Sequence, residues 1–449
     1  MNNFHSQPLR LNANTLEEKR LEIKEYFNNS CSLYERLFDM LKDDSVFYRV
    51  IEPTRHSALF YFAHSAVFFI NKLILVGAIK ERVNYSFEES FGVGVDEMNW
   101  DDLNRSRYSH ISVNEVKEYR AKVKEIVLEL IETMPMSLPI TWEQPMWAIL
   151  MAIEHERIHI ETSSVLHREL PLEFVNKIEE FNVCIKVNKV VQNSLVTVSS
   201  ATTVLGKSDD LDFYGWDNEY AEVEVNVDSF KVSKYLVSNA EYMEFVKEDG
   251  YKKEEYWCEE GKKFLSITKA THPPFWIKQS SGEFKLRVLD QEVELPLSFP
   301  VELSNLEAQA FLVYKSKKDR KNFALPSEAQ YMRLYDRAGL SDLPDDTKAN
   351  INIAHYYSSS SVDEFMFDDI ADVIGNVWQH SSTSFYSFEG FKTHKIYDDF
   401  STPTFDDKHA IIFGGSFIST GNEMLRYSRY AFRRHFVQHA GFRYVEVEK

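Results

Sequence analysis

The sequence predicts a multidomain protein in which a bundle of long helices is followed by a mixed α+β domain. Its 449 residues exceed what one ordinary hydrophobic core holds and suit two domains. The first part shows apolar stripes at helical spacing, whereas short β-rich runs alternate with polar loops after about residue 186. We therefore expect a helical domain over residues 1–187 and an α+β domain over residues 188–449.

Four long helices are expected in the first domain. Residues 16–41 are charged and amphipathic, and residues 58–79 are almost entirely apolar. Ser112 begins an S-x-x-E capping box, which opens a third helix that Pro135 ends. A fourth apolar pattern covers residues 144–170. Helices of this length, joined by loops, pack most simply as a bundle, and bundle cores commonly hold metal sites.

The second domain is expected to contain short strands and brief helices. Runs rich in β-forming residues occupy residues 195–204 and 223–227. Brief helical patterns occupy residues 239–246, 305–315 and 327–338. The connecting segments are rich in Gly, Asn, Asp and Ser, so this domain should contain much irregular structure.

Composition excludes several classes of partner. The formal net charge of -19 repels nucleic-acid phosphates and anionic lipid, so we expect neither a nucleic-acid partner nor a membrane partner. The polar N-terminal segment has no secretory signal, and the apolar stretch over residues 57–71 is short for a membrane span. The three cysteines, Cys31, Cys184 and Cys258, lack disulfide-type or zinc-type spacing, which favours the cytoplasm.

A pair of histidines, His155 and His159, is the sharpest local signal. They are four residues apart in the fourth helix, so both imidazoles lie on one face, where one cation can bridge them. His64 is the natural third ligand, because it lies in the middle of the most apolar helix. A core histidine bonded to a backbone carbonyl is the alternative there, and His56 and His167 are rival donors. Three imidazoles suit iron or zinc, and spacing does not choose between them.

Residues 155–159 also match the H-E-x-x-H pattern of zinc hydrolases, in which Glu156 would be the general base. Glu179 or Glu180 would then be the downstream carboxylate ligand. The extended metzincin arrangement is absent, and a hydrolase leaves the second domain without a role. A metal-stabilised binding module is the non-enzymatic alternative.

Longer motifs occur in order along nearly the whole chain. They are residues 55–73, 94–98, 100–103, 154–159, 161–166, 214–220, 325–329, 375–379, 414–416 and 441–443. The motifs of the first part resemble those of 5-histidylcysteine sulfoxide synthases, the ovothiol-pathway relatives of the ergothioneine sulfoxide synthases. The motifs of the second part resemble the formylglycine-generating-enzyme sulfatase fold.

This resemblance implies a DinB-like helical bundle followed by a C-type-lectin-like domain, with a non-haem Fe(II) at their interface. It assigns the iron ligands to His64, His155 and His159, and the active-site tyrosine to Tyr386. It further implies that cysteine and histidine are the substrates, that dioxygen is the oxidant, and that a C–S bond and a sulfoxide are formed. An ergothioneine-type reaction on hercynine is the neighbouring alternative.

Basic residues near the C-terminus are candidates for binding substrate carboxylates. Arg429 and Arg433 could each make bidentate guanidinium contacts. Related ergothioneine enzymes have an Asn-Trp-Asp segment where this chain has Tyr427-Ser428-Arg429, so its substrate contacts should differ. Many family members also carry a C-terminal methyltransferase. This sequence ends at Lys449, so we expect any methylation to need a separate protein.

Overall fold

The computed structural model describes residues 4–53, 55–92 and 105–448. The family-like motifs at residues 94–98 and 100–103 lie outside the described residues. The helices are α1 (Leu16–Phe38), α2 (Ala58–Leu75), α3 (Tyr85–Phe91), α4 (Val113–Thr133), α5 (Met146–Glu169), α6 (Asn239–Lys247), α7 (Glu259–Thr268), α8 (Asn305–Asp319) and α9 (Glu328–Arg337). The four long helices of the first part are thus present close to their predicted bounds.

Local capping explains where these helices begin. The side chain of Thr15 accepts a hydrogen bond from the backbone N–H of Glu18 at the start of α1. The predicted capping box is present at α4, where Ser112 and Glu115 bond reciprocally. The same box, with Ser304 at the N-cap, opens α8. Helices α3 and α7 were not expected from the sequence.

The second part contains short strands. They are β1 (Leu195–Val198), β2 (Ala201–Leu205), β3 (Val223–Val227), β4 (Phe230–Ser233), β5 (Trp276–Lys278), β6 (Phe284–Arg287), β7 (Glu292–Glu294), β8 (Phe323–Ala324), β9 (Met366–Phe367), β10 (Ile370–Ala371), β11 (Trp378–Ser384), β12 (His409–Phe413), β13 (Tyr430–Arg433), β14 (Ala440–Gly441) and β15 (Val445–Glu446). The predicted run over residues 195–204 is therefore two strands.

These strands form small, mostly antiparallel sheets. One sheet has the order β1-β4-β15-β8, and another has the order β13-β12-β11-β14. Strands β2 and β3 form a separate ribbon, β5, β6 and β7 form a three-stranded sheet, and β9 pairs with β10. In the second sheet, β12 pairs antiparallel with β13, and His409 lies opposite Arg433. This pairing fixes the position of β13, which reaches the site described below.

The helical part packs as a group of long helices and joins the second part through a continuous core. α2 contacts α5 and α4, and α1 also contacts both α5 and α4. Trp147 of α5 stacks on Tyr214 of the second part, with ring centroids 5.0 Å apart. By length and composition α2 could cross a membrane, yet 83% of that stretch is buried against the rest of the chain, as the core helix of a globular protein also would be.

Candidate active site

A cavity of about 590 Å³ lies between the helical part and the second part. Its helical wall comes from α2 and α5 and includes the three predicted histidines. Its opposite wall comes from the segment around Tyr397 and from β13, which contributes Tyr430 and Arg433. The cavity is large enough for small-molecule substrates and combines aromatic walls with a few polar groups.

The structure brings together His64, His155 and His159. Among the described residues these three form a group whose ligand atoms all lie within 4.8 Å of one another, and all three are buried. The ring centroids of His155 and His159 are 4.5 Å apart. The His64 ring lies 5.2 Å from His155 and 5.1 Å from His159. Two helices therefore bring together the three imidazoles that were proposed as ligands from the sequence.

The hydrogen bonds of these rings leave nitrogen atoms for a metal. Nδ1 of His64 donates to the backbone carbonyl of Phe91 at 2.6 Å, which leaves Nε2 as its lone-pair nitrogen. Among the described residues, the buried Nδ1 atoms of His155 and His159 have no hydrogen-bond partner. Phe68 stacks on the His155 ring at 3.6 Å and holds its plane. Each of the three rings therefore keeps a nitrogen that no hydrogen bond to the described residues occupies, which a metal ligand requires.

The protonation state of the histidines suits metal binding. Burial lowers the pKa of His64 to about 4. Burial also lowers the pKa values of His155 and His159 well below their usual range, and the neighbouring histidines lower that of His155 further. All three rings are therefore neutral near pH 7, which is the state that ligates a metal. A set of three neutral imidazoles fits Fe(II), and it fits Zn(II) equally well.

Helix α5 contacts the second part along a different face. Glu154, Glu161 and Arg168 are spaced by seven residues and lie on this face. Glu154 accepts from the backbone N–H of Asn422 at 2.9 Å, and Glu161 accepts from Ser416 Oγ at 2.9 Å. The second part comes close because residue 421 is glycine, where a Cβ would lie 2.5 Å from atoms of Arg157, Glu154 and Tyr26.

Near its C-terminal end, α5 contacts the second part through a buried charged cluster. Arg168 donates to the carboxylate of Glu302 at 2.5 and 3.0 Å, and its Nη1 lies 2.7 Å from Nδ1 of His439. Ser164 Oγ lies 2.7 Å from Nε2 of the same histidine. Because these contacts join α5 to the second part, they fix the wall that carries His155 and His159.

Glu156 lies on a third face of α5 and is engaged inside the helical part. Its Oε1 lies 3.1 Å from Nη2 of Arg120 and accepts from Ser65 Oγ at 3.2 Å. Its Oε2 accepts from Ser30 Oγ at 3.1 Å. A carboxylate held in this way by a buried guanidinium does not serve as the general base that the hydrolase hypothesis requires. The downstream candidate Glu180 pairs with Arg36.

The structure does not bring Tyr386 to the histidines. Its side chain is 43% exposed and is not part of the cavity wall, and a hydrogen bond to Asp407 raises the pKa of its phenol. Tyr397, which we did not select from the sequence, lines the cavity with its ring centroid 6.2 Å from that of His155. The chain has 23 tyrosines, and no local pattern distinguishes this one.

The two predicted arginines differ in their contacts. Both line the cavity. The guanidinium of Arg429 is occupied, because it donates to both carboxylate oxygens of Glu328, at 2.7 and 3.2 Å, and to the carbonyl of Asn218 at 2.8 Å. Arg429 is therefore a structural residue first. Arg433 is half-buried at the end of β13, and no ion pair to its guanidinium is found in the described part of the chain.

The rival histidines lie outside the group of three. His56 is buried beside it, with Nδ1 2.9 Å from the hydroxyl of Tyr108 and its ring stacked on Phe60. His167 lies further along α5, where its ring packs edge-on against Phe38. The facing position of α2 is thus taken by His64 rather than by either rival.

Comparison with known proteins adds independent information. Residues 183–447 match the family of the sulfatase-modifying factor enzyme 1-like domain. The chain is 22% identical over 440 residues to ergothioneine biosynthesis protein 1 of Schizosaccharomyces pombe, which covers 88% of this chain and 51% of that protein. It is 25% identical over 219 residues to the hercynine oxygenase of Mycobacterium tuberculosis, covering 44% of this chain and 48% of that enzyme.

A third relative matches over a larger share of its own length. The hercynine oxygenase of Mycolicibacterium smegmatis is 22% identical over 346 residues, covering 71% of this chain and 75% of that enzyme. The chain therefore spans about half the length of the first two relatives and three quarters of the third.

Proposed function

Since the chain belongs to the sulfatase-modifying factor enzyme 1-like family, we propose that it is a sulfoxide synthase, an oxidoreductase that joins L-cysteine to the imidazole of L-histidine. The product is 5-histidylcysteine sulfoxide. The observation that carries this proposal is the group of three buried imidazoles in the cavity wall. The proposal includes a DinB-like helical domain over residues 1–187, a second domain over residues 188–449 and a cytoplasmic location.

The reaction balances with one molecule of dioxygen. The thiol gives up its hydrogen, and the imidazole carbon gives up its hydrogen, as the C–S bond forms. One oxygen atom ends on sulfur, and the other leaves as water with the two hydrogens. Sulfur and carbon are oxidised by four electrons in total, and dioxygen is reduced by four, so no further reductant is needed.

In this proposal His64, His155 and His159 hold Fe(II). Bound there, the ion supplies a redox-active centre with coordination positions left for a thiolate and dioxygen. The donor set is compatible with this assignment, because three neutral imidazoles bind a divalent ion without neutralising its charge. The hydrogen bond from His64 to Phe91 holds that ring in the required tautomer.

The chain's own residues bind substrates and move protons in this scheme. Arg433 binds a substrate carboxylate, since it lines the cavity and its guanidinium has no ion-pair partner among the described residues. Tyr397 provides the phenol that gives or takes a proton at the reacting groups, because it lines the cavity beside His155. The aromatic wall formed by Phe68 and Phe400 excludes water from that side.

A second candidate is the ergothioneine-type reaction, in which hercynine replaces histidine. The names of the relatives favour it, because two of them are hercynine oxygenases and one is an ergothioneine biosynthesis protein. The same cavity and the same three imidazoles serve this reaction. Whether the thiol substrate is cysteine or γ-glutamylcysteine is a separate question, which the same set of substrate pairs answers.

One experiment separates these candidates. The protein is purified without oxygen, loaded with Fe(II) or Zn(II), and mixed with oxygen and each pair of thiol and imidazole substrates. Oxygen consumption that requires iron, cysteine and histidine together, with the coupled sulfoxide seen by mass spectrometry, supports the proposal. Turnover only with hercynine supports the second candidate. Ester or peptide hydrolysis with Zn(II), and no oxygen consumption, contradicts both.

A further inference from the structure

Lys72 is a buried lysine that crosses from α2 to the second part. Only 8% of the residue is exposed, and its Nζ donates to the backbone carbonyl of Ile396 at 2.6 Å. Nζ also lies 3.9 Å from the centroid of the Tyr397 ring. One side chain of the helical part therefore contacts both the backbone and the aromatic ring of the segment that faces the histidines.

Phe68, one helical turn before Lys72, extends this contact to the group of three histidines. The Lys72 ammonium lies 4.7 Å from the Phe68 ring. That ring stacks on His155 at 3.6 Å and meets the Tyr397 ring edge-on at 5.0 Å. The cation, the two rings and the imidazole thus form one contiguous set, with each member in contact with the next.

The segment that Lys72 contacts is a tight turn with its own hydrogen bonds. The backbone N–H of Tyr397 donates to the carbonyl of His394 at 3.0 Å, and the N–H of Ile396 lies 3.3 Å from His394 Nδ1. Because these bonds tie the turn together, holding the single carbonyl of Ile396 holds the whole turn.

A buried ammonium is costly unless it is compensated. Among the described residues no carboxylate lies within 4.0 Å of Lys72 Nζ, so its contacts are a carbonyl and two ring faces. Burial lowers the pKa of Lys72 to about 8, although the neighbouring Asp399 and Asp398 oppose this shift. A methionine would fill similar space without this cost, which indicates that the charge serves the turn rather than the core.

We propose that Lys72 is a positioning residue, which holds the turn at residues 394–397 so that Tyr397 faces His155 across the cavity. The hydrogen bond fixes the backbone and the cation–π contact fixes the ring. The consequence for turnover rests on the proposed function, whereas the consequence for the turn does not.

Hydrogen–deuterium exchange of the full chain without added metal tests the effect on the turn. Lys72→Met keeps the length of the side chain and removes its charge. We expect the amides of residues 396–400 to exchange about tenfold faster, the change expected for loss of one charged hydrogen bond. Lys72→Arg keeps a cationic donor and should restore most of the protection. Lys395→Met changes an exposed lysine of the same turn and should exchange as wild type does.

Wild-type protection of the turn in Lys72→Met, or equal loosening in Lys395→Met, would overturn the proposal. If Lys72→Met does not fold, Tyr397→Leu removes the ring beneath the ammonium and should loosen the same amides; unchanged protection there overturns the proposal equally.

Steady-state kinetics of the iron-loaded protein supply the second readout. Lys72→Met should lower kcat and leave KM for cysteine and histidine close to wild type, because the substrate contacts at Arg433 are not changed. Tyr397→Phe keeps the ring, so the turn should stay protected although turnover falls. A wild-type chain without turnover contradicts the proposed function and leaves the exchange result as the test of Lys72.

Discussion

The two walls of the cavity hold their functional groups in different ways. The helical wall presents its imidazoles from α2 and α5, which are packed against each other over their length. The opposite wall presents Tyr397 from a turn and Arg433 from the end of a short strand. The group of three imidazoles is thus built into two packed helices, whereas Tyr397 and Arg433 of the opposite wall depend on a few long-range contacts.

The largest expected effect comes from breaking the helical wall. His155→Ala should lower iron affinity by more than about a hundredfold, since loss of even an outer-shell partner of a ligand costs 10- to 100-fold. Turnover should be lost with the metal. Metal content after anaerobic loading measures the effect.

His167→Ala is the matched control, because it removes another buried imidazole from α5 outside the group of three. That variant should keep its iron even where its stability falls. Full iron retention by His155→Ala would assign the metal to other residues.

Much of the helical wall could be predicted because its signals are local. The i,i+4 spacing of His155 and His159 places them together in any helix. The capping box at Ser112 is a short-range pattern and is present. Periodicity also predicted a helix over residues 16–41, although it ends earlier, at Phe38.

The opposite wall could not be predicted in the same way. Tyr397 lies in the cavity because Lys72, 324 residues from Ile396, holds its turn. Hydrophobic periodicity carries no information about a contact between residues so far apart in the sequence. The β-rich run over residues 195–204 shows the same limit, because it contains two strands with different partners. β1 pairs with β4, whereas β2 pairs with β3. Partners of this kind are set by tertiary packing rather than by local propensity.

Replacing Tyr397 or Tyr386 with phenylalanine tests which of the two phenols takes part in turnover. Tyr397→Phe should lower kcat by about 10²- to 10⁴-fold, the usual contribution of a general acid or base. Tyr386→Phe should leave kcat close to wild type, because that side chain is exposed and bonds to Asp407. Single-turnover oxygen consumption by the two variants measures both effects. The reverse result would return the active-site role to Tyr386.

Glu156→Gln tests whether the H-E-x-x-H carboxylate is structural. The substitution removes the buried charge partner of Arg120 and leaves it only the half-exposed carboxylate of Glu35 at 3.7 Å, so it should lower the free energy of unfolding by about 3–5 kcal/mol. Glu125→Gln breaks an exposed pair with Lys122 and should cost less than about 1 kcal/mol. Urea denaturation of both variants gives these values. Normal stability of Glu156→Gln, combined with complete loss of a Zn(II)-dependent hydrolysis that the wild type performs, would instead support the hydrolase hypothesis.

Substitutions of the two arginines of the opposite wall should have different effects, one on substrate binding and the other on stability. Arg433→Met should raise KM for the substrate whose carboxylate it binds by about 10- to 100-fold, as expected for one charge-assisted hydrogen bond in a site. Arg429→Met should instead lower stability, because Glu328 would lose its buried partner. Initial rates and thermal unfolding distinguish the two outcomes. A raised KM in both variants would place both guanidinium groups at the substrate.

The buried charged contact between α5 and the second part should weaken in acid. Burial alone would raise the pKa of Glu302, but Arg168 and His439 outweigh it and lower this pKa to about 2. Its stabilising charge is therefore present above the unfolded pKa and is lost as the pH falls from about 4.5 toward 2.

Burial lowers the pKa of His439 to about 4, so the unfolded chain takes up a proton first as the pH falls below about 6.5. Both groups make the folded state less stable in acid, and the histidine acts first. His439→Gln should reduce the loss of unfolding free energy between pH 6.5 and pH 4 by roughly 1–3 kcal/mol. His110→Gln, which changes an exposed histidine, should leave the pH profile unchanged. Calorimetry across this range measures the effect: parallel profiles for wild type and His439→Gln would show that the contact between α5 and the second part does not titrate through this histidine.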